Sequence, residues 1–126
     1  MQKKIVVTGV VFILLGIILG AMAAHALEKI ISAELINTFE KGVKYQFYIG
    51  LGLLIIGLNT DKINFNLKPF FLLSLIGVVL FSGSIYLYAL HENIPALRPA
   101  AFVVPFGGVA MIAAWLVLLI QFVKKK

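Results

Sequence analysis

Charged residues punctuate this chain sparsely, and the gaps between them are its dominant pattern. Residues 5–27, 45–60, 69–90 and 99–123 contain no Asp, Glu, Lys or Arg. A helix rises about 1.5 Å per residue and a bilayer core is about 30 Å thick, so about 20 apolar residues cross it. The first, third and fourth stretches reach that length unaided. The second has sixteen residues, roughly 24 Å of helix. It gains length by borrowing residues 39–44, with Lys44 snorkelling toward the headgroups. The pattern predicts an all-α integral membrane protein, a single transmembrane domain over residues 1–126 with spans at about 5–27, 40–60, 69–90 and 99–123.

The polar connections set the expected topology. Asn59, Thr60, Asp61, Lys62, Asn64 and Asn66 precede Pro69 as a short turn, and residues 91–99 form another. Such short links make sequential helices antiparallel neighbours, which predicts an up-down-up-down four-helix bundle. The first connection is longer. Ser32 is a good N-cap, with Glu34 in the first turn. Leu35, Ile36, Phe39 and Val43 then share one helical face, while Glu34, Asn37, Thr38, Glu40, Lys41 and Lys44 occupy the rest. An amphipathic interfacial helix between spans 1 and 2, bending at Gly42, fits this pattern. One long helix running into the second span fits it equally.

Lys3 and Lys4, an apolar run, then Ala21-Met22-Ala23-Ala24-His25-Ala26 look like a secretory leader. The apolar run, however, exceeds the roughly 7–15 residues of a leader core, so a retained first span is the expectation.

Composition narrows the class. The chain has 126 residues, 62% hydrophobic and 13% charged. A soluble domain this short has too little interior for that much apolar side chain. With no cysteine, disulfides, thiol redox chemistry and thiolate metal sites are excluded. The net charge of +6 resolves into two faces. One carries Lys3, Lys4, Lys62, Lys68, Lys124, Lys125 and Lys126 against Asp61; the other carries Lys29, Lys41, Lys44 and Arg98 against Glu28, Glu34, Glu40 and Glu92. The lysine excess predicts a multi-pass protein of the cell membrane with both termini cytoplasmic. It sets orientation and implies no nucleic-acid partner. Lys124 to Lys126 could hold anionic lipid, but a stop-transfer anchor is the commoner use of so short a run.

Candidate chemistry is scarce. No ionisable Asp, Glu, Lys or Arg lies deep in a span, which argues against ion-coupled transport. Phosphate loops, nucleophile elbows, paired carboxylates within a span and metal-ligand spacings are missing, so no catalytic residue, cofactor or metal is expected. Small residues recur at helical spacing, with Gly16 and Gly20 on the first span and Gly107 and Gly108 on the fourth. Packing between the chain's own helices explains them; a Gly16-x-x-x-Gly20 dimer seam is the alternative. Polar residues gather toward the outer ends of the spans: His25, Glu40, Tyr45, Gln46, Ser82, Ser84 and His91, with Tyr48, Tyr86, Tyr88 and Glu92. An interfacial tyrosine belt and interhelical hydrogen bonds account for them. A sharper possibility is a shallow pocket where His25, Gln46 and Ser84 converge, with Glu40 or His91 nearby.

Several segments together resemble a known family. These are residues 20–27 (Gly-Ala-Met-Ala-Ala-His-Ala-Leu), 39–48 (Phe-Glu-Lys-Gly-Val-Lys-Tyr-Gln-Phe-Tyr), 80–87 (Leu-Phe-Ser-Gly-Ser-Ile-Tyr-Leu) and Pro105-Phe106-Gly107-Gly108. They are similar to domain-of-unknown-function family 423, also called uncharacterised membrane-protein family 0382 and related to eukaryotic transmembrane protein 256. The resemblance implies a small four-span membrane protein and no particular activity. His25, Glu40, Tyr45, Gln46, Ser82, Ser84 and the Pro105-Gly107-Gly108 group match the pattern. Ile49 stands where that pattern would place a histidine, so a site requiring that histidine would be impaired here. The expected function is a scaffold, assembly or interaction subunit with the lipid bilayer and a membrane-protein partner or second copy as its contacts. The alternative is a small oligomeric transporter or channel with a polar mouth on the outer face.

Overall fold

A computed structural model describes residues 1–125, and among the described residues there is no strand. Lys126, one of the lysines assigned to the inner face, lies outside them. Four long helices carry the fold: α1 (Gln2–Ala24), α2 (Ala33–Leu58), α3 (Lys68–Tyr88) and α4 (Val104–Lys124). The segments Gln2–Lys29, Lys68–Tyr88 and Pro95–Lys124, built on α1, α3 and α4, are each long and apolar enough to cross a membrane. α2 is 26 residues long but carries Glu34, Glu40, Lys41 and Lys44 in its first half.

Local chemistry fixes the helix ends. Ser32 Oγ accepts the Leu35 backbone N–H at 3.3 Å, capping α2. At the other end of α2, Asn59 Nδ2 donates to the Ile55 carbonyl at 2.8 Å. The Lys68 N–H donates to Asn66 Oδ1 at 3.0 Å, and Pro69 follows in the first turn of α3, where its missing N–H is harmless. Pro105 does the same for α4.

The expected boundaries shift in three places. α1 ends at Ala24, and Leu27–Lys29 is a separate 3-10 turn. Residues 99–102 belong to a 3-10 segment, Pro95–Phe102, with Pro99 inside it, so α4 starts only at Val104. The lead-in to the second span is not a separate interfacial helix. α2 runs unbroken through Gly42, because that glycine is consumed in packing: a Cβ there would sit 2.9 Å from Tyr86 Cε1 and 3.1 Å from Ile85 Cγ2.

Close backbone approach organises the pairs. On α1 the buried residues Ile5, Gly9, Phe12, Gly16 and Ala23 fall on one face. A Cβ at Gly9 would lie 2.8 Å from the Gly50 carbonyl oxygen, and one at Gly57 would lie 2.7 Å from Val6 Cγ2. The start of α1 therefore meets the end of α2, and the two run antiparallel. Likewise Gly77 meets Met111 while Phe65 stacks edge-on against Phe122 at 4.9 Å, so α3 and α4 are antiparallel too. The two pairs share a core in which Ile5 and Phe12 of α1 join Leu53, Phe70, Val78, Met111 and Leu118. A second cluster, with Leu27, Ile31, Leu35, Phe39 and Ala89, closes the opposite end.

Two consequences follow. First, Lys3, Lys4, Lys62, Lys68, Lys124 and Lys125 all lie at the end where α2 turns into α3. Second, the outward surface is apolar: Leu14, Ile17, Ile112, Leu119 and Val123 are all exposed, the last by 75%. Water would penalise such a surface, whereas lipid tails solvate it.

Candidate functional site

The polar groups expected near one end of the helices separate into two sets. Gln46, Ser82 and Ser84 are buried, whereas His25, Glu40 and Tyr45 are exposed and His91 is half-buried.

Gln46 is the centre of the buried set. Its Nε2 donates to the Phe12 carbonyl of α1 at 2.8 Å, and its Oε1 accepts the Tyr86 hydroxyl of α3 at 2.6 Å. One carboxamide thus ties α2 to both neighbours. Four residues before Tyr86, Ser82 Oγ donates to the Gly42 carbonyl at 2.7 Å. Gly42 and Gln46 are themselves four apart, so two successive turns of α2 bond to two successive turns of α3. The Phe39 and Tyr86 rings meet at 4.7 Å and close the outer side of this junction.

α3 is not regular here. Residues Val79–Gly83 form a π-helical turn, which the apolar pattern gave no reason to expect. The wide turn has a packing partner on its far side: a Cβ at Gly107 would collide with the Leu80–Phe81 backbone. Gly107 therefore lets α4 press on the π turn while Ser82, within the turn, ties it to the Gly42 carbonyl of α2. π turns occur disproportionately at functional positions, where they re-aim side chains. In this one Ser82 faces the polar junction and Phe81 faces away from it.

Phe81 projects into a cleft of about 690 Å³ between α2, α3 and α4. Tyr45, Tyr48 and Ile49 line it from α2; Gly108, Met111, Trp115 and Leu119 line it from α4. Tyr45 packs edge-on against both Phe81 (5.1 Å) and Tyr48 (5.6 Å). Gly52 admits the Trp115 indole, since a Cβ there would fall 2.5 Å from Cζ2. The cleft is nearly all hydrocarbon and aromatic, and its size suits a small ligand or part of a partner helix.

The proposed convergence of His25 with Gln46 and Ser84 is not what the side chains form. His25 caps the end of α1 at the surface, Glu40 lies on the outer face of α2, and His91 stacks on Tyr88 at 4.4 Å with Nδ1 2.7 Å from the Tyr88 carbonyl. Gln46 meets Tyr86 instead. Among the described residues no three His, Asp or Glu side chains gather closely enough to hold a metal. Of the glycines, a Cβ at Gly16 would meet the Phe47 ring at 3.1 Å and one at Gly20 would lie 3.6 Å from Val43 Cγ1, both within the chain's own α1–α2 contact; a Cβ at Gly108 would lie 3.7 Å from the Phe81 ring. Ile49 is 3% exposed and packs in the apolar core. Tyr86 was among the gathered polar residues but not in the expected pocket, and Gly42, Gly52 and Trp115 were not in it either. The Ser82/Tyr86 spacing of four on one face was the available signal for the first.

Comparison with known proteins places these features in a wider group. The profile of the protein family of unknown function DUF423 matches residues 19–108, which include the Gln46–Tyr86 junction and the π turn. A UPF0382 membrane protein of Staphylococcus haemolyticus is 38% identical over 95% of each chain. The UPF0382 membrane protein YwdK of Bacillus subtilis is 32% identical over 98% of each. The UPF0382 inner membrane protein YgdD of Escherichia coli is 34% identical over 95% of this chain and 86% of its own. No solved structure matches the chain.

Proposed function

This chain belongs to the DUF423 family, whose named relatives are UPF0382 membrane proteins, and we propose that it is a non-enzymatic interaction subunit of the cell membrane. In this reading all four long helices span the bilayer as an up-down-up-down bundle, with both termini in the cytoplasm. α2 crosses with its charged first half reaching into the headgroups. The chain scaffolds or assembles a membrane-protein partner, or a second copy of itself.

A single observation carries the reading. The buried polar groups of the junction are spent on helix–helix hydrogen bonds, while a three-helix apolar cleft opens beside them. Side chains committed to each other hold a shape; they are poorly placed to bind or move a solute. The test is site-specific photocrosslinking from Ile112, which is 70% exposed at the cleft. A discrete adduct in native membranes, with a partner or with the same chain, is the expected result. Lipid adducts alone, together with mild-detergent purification that recovers neither partner nor oligomer, would overturn it.

The transporter reading has one observation of its own. Ser74 is fully buried in α3 and its Oγ has no hydrogen-bond partner. It lies on α3 between Ser82 and the lysine-rich end. Solute flux in proteoliposomes that disappears on Ser84→Ala or Ser74→Ala would favour this reading over the scaffold.

A further inference from the structure

We propose that the lysine-rich end of the molecule holds a binding site for the phosphate of an anionic phospholipid. A cavity of about 190 Å³ lies where the last turns of α4 dock on the loop before α3. Its walls are Asn64, Phe65, Gln121, Lys124 and Lys125. Two ammonium groups and two carboxamides can all donate, and among the described residues no Asp or Glu lines it. The Lys125 Nζ donates to the Lys62 carbonyl at 3.2 Å, which draws this side chain toward the loop before α3. An ammonium has three donors, so two remain for a ligand.

Three features select this ligand class. The size is too small for a nucleotide or a drug-sized molecule and suits one phosphate group. The surrounding charge is strongly positive, since Lys3, Lys4, Lys62 and Lys68 share this end and Asp61 is the acid sequence places there. The apolar side then separates a lipid from a free anion. Phe65, one of the walls, packs edge-on against Phe122 at 4.9 Å, and Phe122 and Val123 continue from there as exposed apolar surface along α4. A headgroup phosphate seated among the lysines would lay its acyl chains along that strip. The site does not depend on the scaffold reading, nor on which face is cytoplasmic.

Native mass spectrometry of the full chain in detergent, with phosphatidylglycerol or phosphatidylcholine added, tests this. Phosphatidylglycerol is retained preferentially, and retention falls about fivefold for each lysine lost in Lys124→Gln and Lys125→Gln. Gln121→Leu keeps the charge but removes a donor from the wall, and it also lowers retention. The control Lys29→Gln/Lys41→Gln, at the other end, leaves retention unchanged. Equal retention of both lipids would overturn the site, as would equal loss in the control. Full retention in Gln121→Leu would mean diffuse surface charge and no pocket. Excess inorganic phosphate at matched ionic strength leaves the lipid bound; complete displacement would make a free anion the ligand and refute the lipid.

Discussion

The Tyr86 hydroxyl donates to Gln46 Oε1 at 2.6 Å, which makes one carboxamide the meeting point of α1, α2 and α3. Gln46 is buried and Tyr86 half-buried between the helices, so the bond's worth is set by what replaces it. Interhelical hydrogen bonds in membranes average about 0.6 kcal/mol and reach about 1.7 kcal/mol. Tyr86→Phe should therefore cost about 0.6 kcal/mol, and Gln46→Leu, which breaks two bonds, about 1–2 kcal/mol. The double variant should cost less than the two singles together, because Gln46→Leu alone strands the tyrosine hydroxyl. Reversible unfolding in mixed micelles measures all three; strict additivity would show that the two side chains do not act as a pair.

Glycine substitutions should divide by what stands opposite. At Gly9 a Cβ meets the Gly50 carbonyl oxygen and the Leu54 nitrogen at 2.8 Å, both backbone atoms. Neither can move without parting α1 from α2, so Gly9→Ala should destabilise by about 1–3 kcal/mol. Gly83 has nothing within 4 Å of an added Cβ. Gly83→Ala should be neutral or stabilising by up to about 1 kcal/mol through helix propensity. Thermal melts in detergent distinguish the two, and an equal loss at both would remove close approach as the cause.

What the sequence disclosed, and what it hid, follows from the range of each interaction. Helix existence and ends depend on local chemistry, so the Ser32 cap, the Pro69 start of α3 and the apolar lengths of α1, α3 and α4 were legible, although α4 was expected from residue 99 and begins at Val104. The continuity of α2 was one of two readings that the pattern fitted equally. Gly42 suggests a bend when only neighbours in sequence are considered, yet it is held straight by Ile85 and Tyr86 from another helix. The π turn was invisible for the same reason: nothing local in Val79–Gly83 calls for a wide turn, and its partner Gly107 is remote in sequence. His25 and Ser84 were grouped with Gln46 because all are polar and near one end. Depth along a helix says nothing about the face a side chain takes, and Gln46 turns toward Tyr86.

Trp115 is the chain's one tryptophan, which makes its seat against Gly52 directly observable. Gly52→Ala places a methyl group 2.5 Å from Cζ2 and should push the indole out of the gap toward lipid. Quenching by lipids brominated on the acyl chains should rise, with little change in helix content. Unchanged quenching would mean that the ring is not lodged there.

Topology is testable because the chain has no cysteine of its own. Asn64 lies in the turn before α3 and Asn93 in the loop after it, and both side chains are exposed. Each can therefore carry a single cysteine without disturbing a helix. If α3 crosses the bilayer, the two sites fall on opposite sides, whatever the fate of the shorter apolar stretch in α2. The lysine distribution then orients it: the Asn64 end holds Lys3, Lys4, Lys62, Lys68, Lys124 and Lys125, and positive loops stay cytoplasmic. A membrane-impermeant maleimide applied to intact cells should label Asn93→Cys and spare Asn64→Cys until the membrane is permeabilised. Labelling of Asn64→Cys alone inverts the orientation, and labelling of both from outside would mean that α3 does not span.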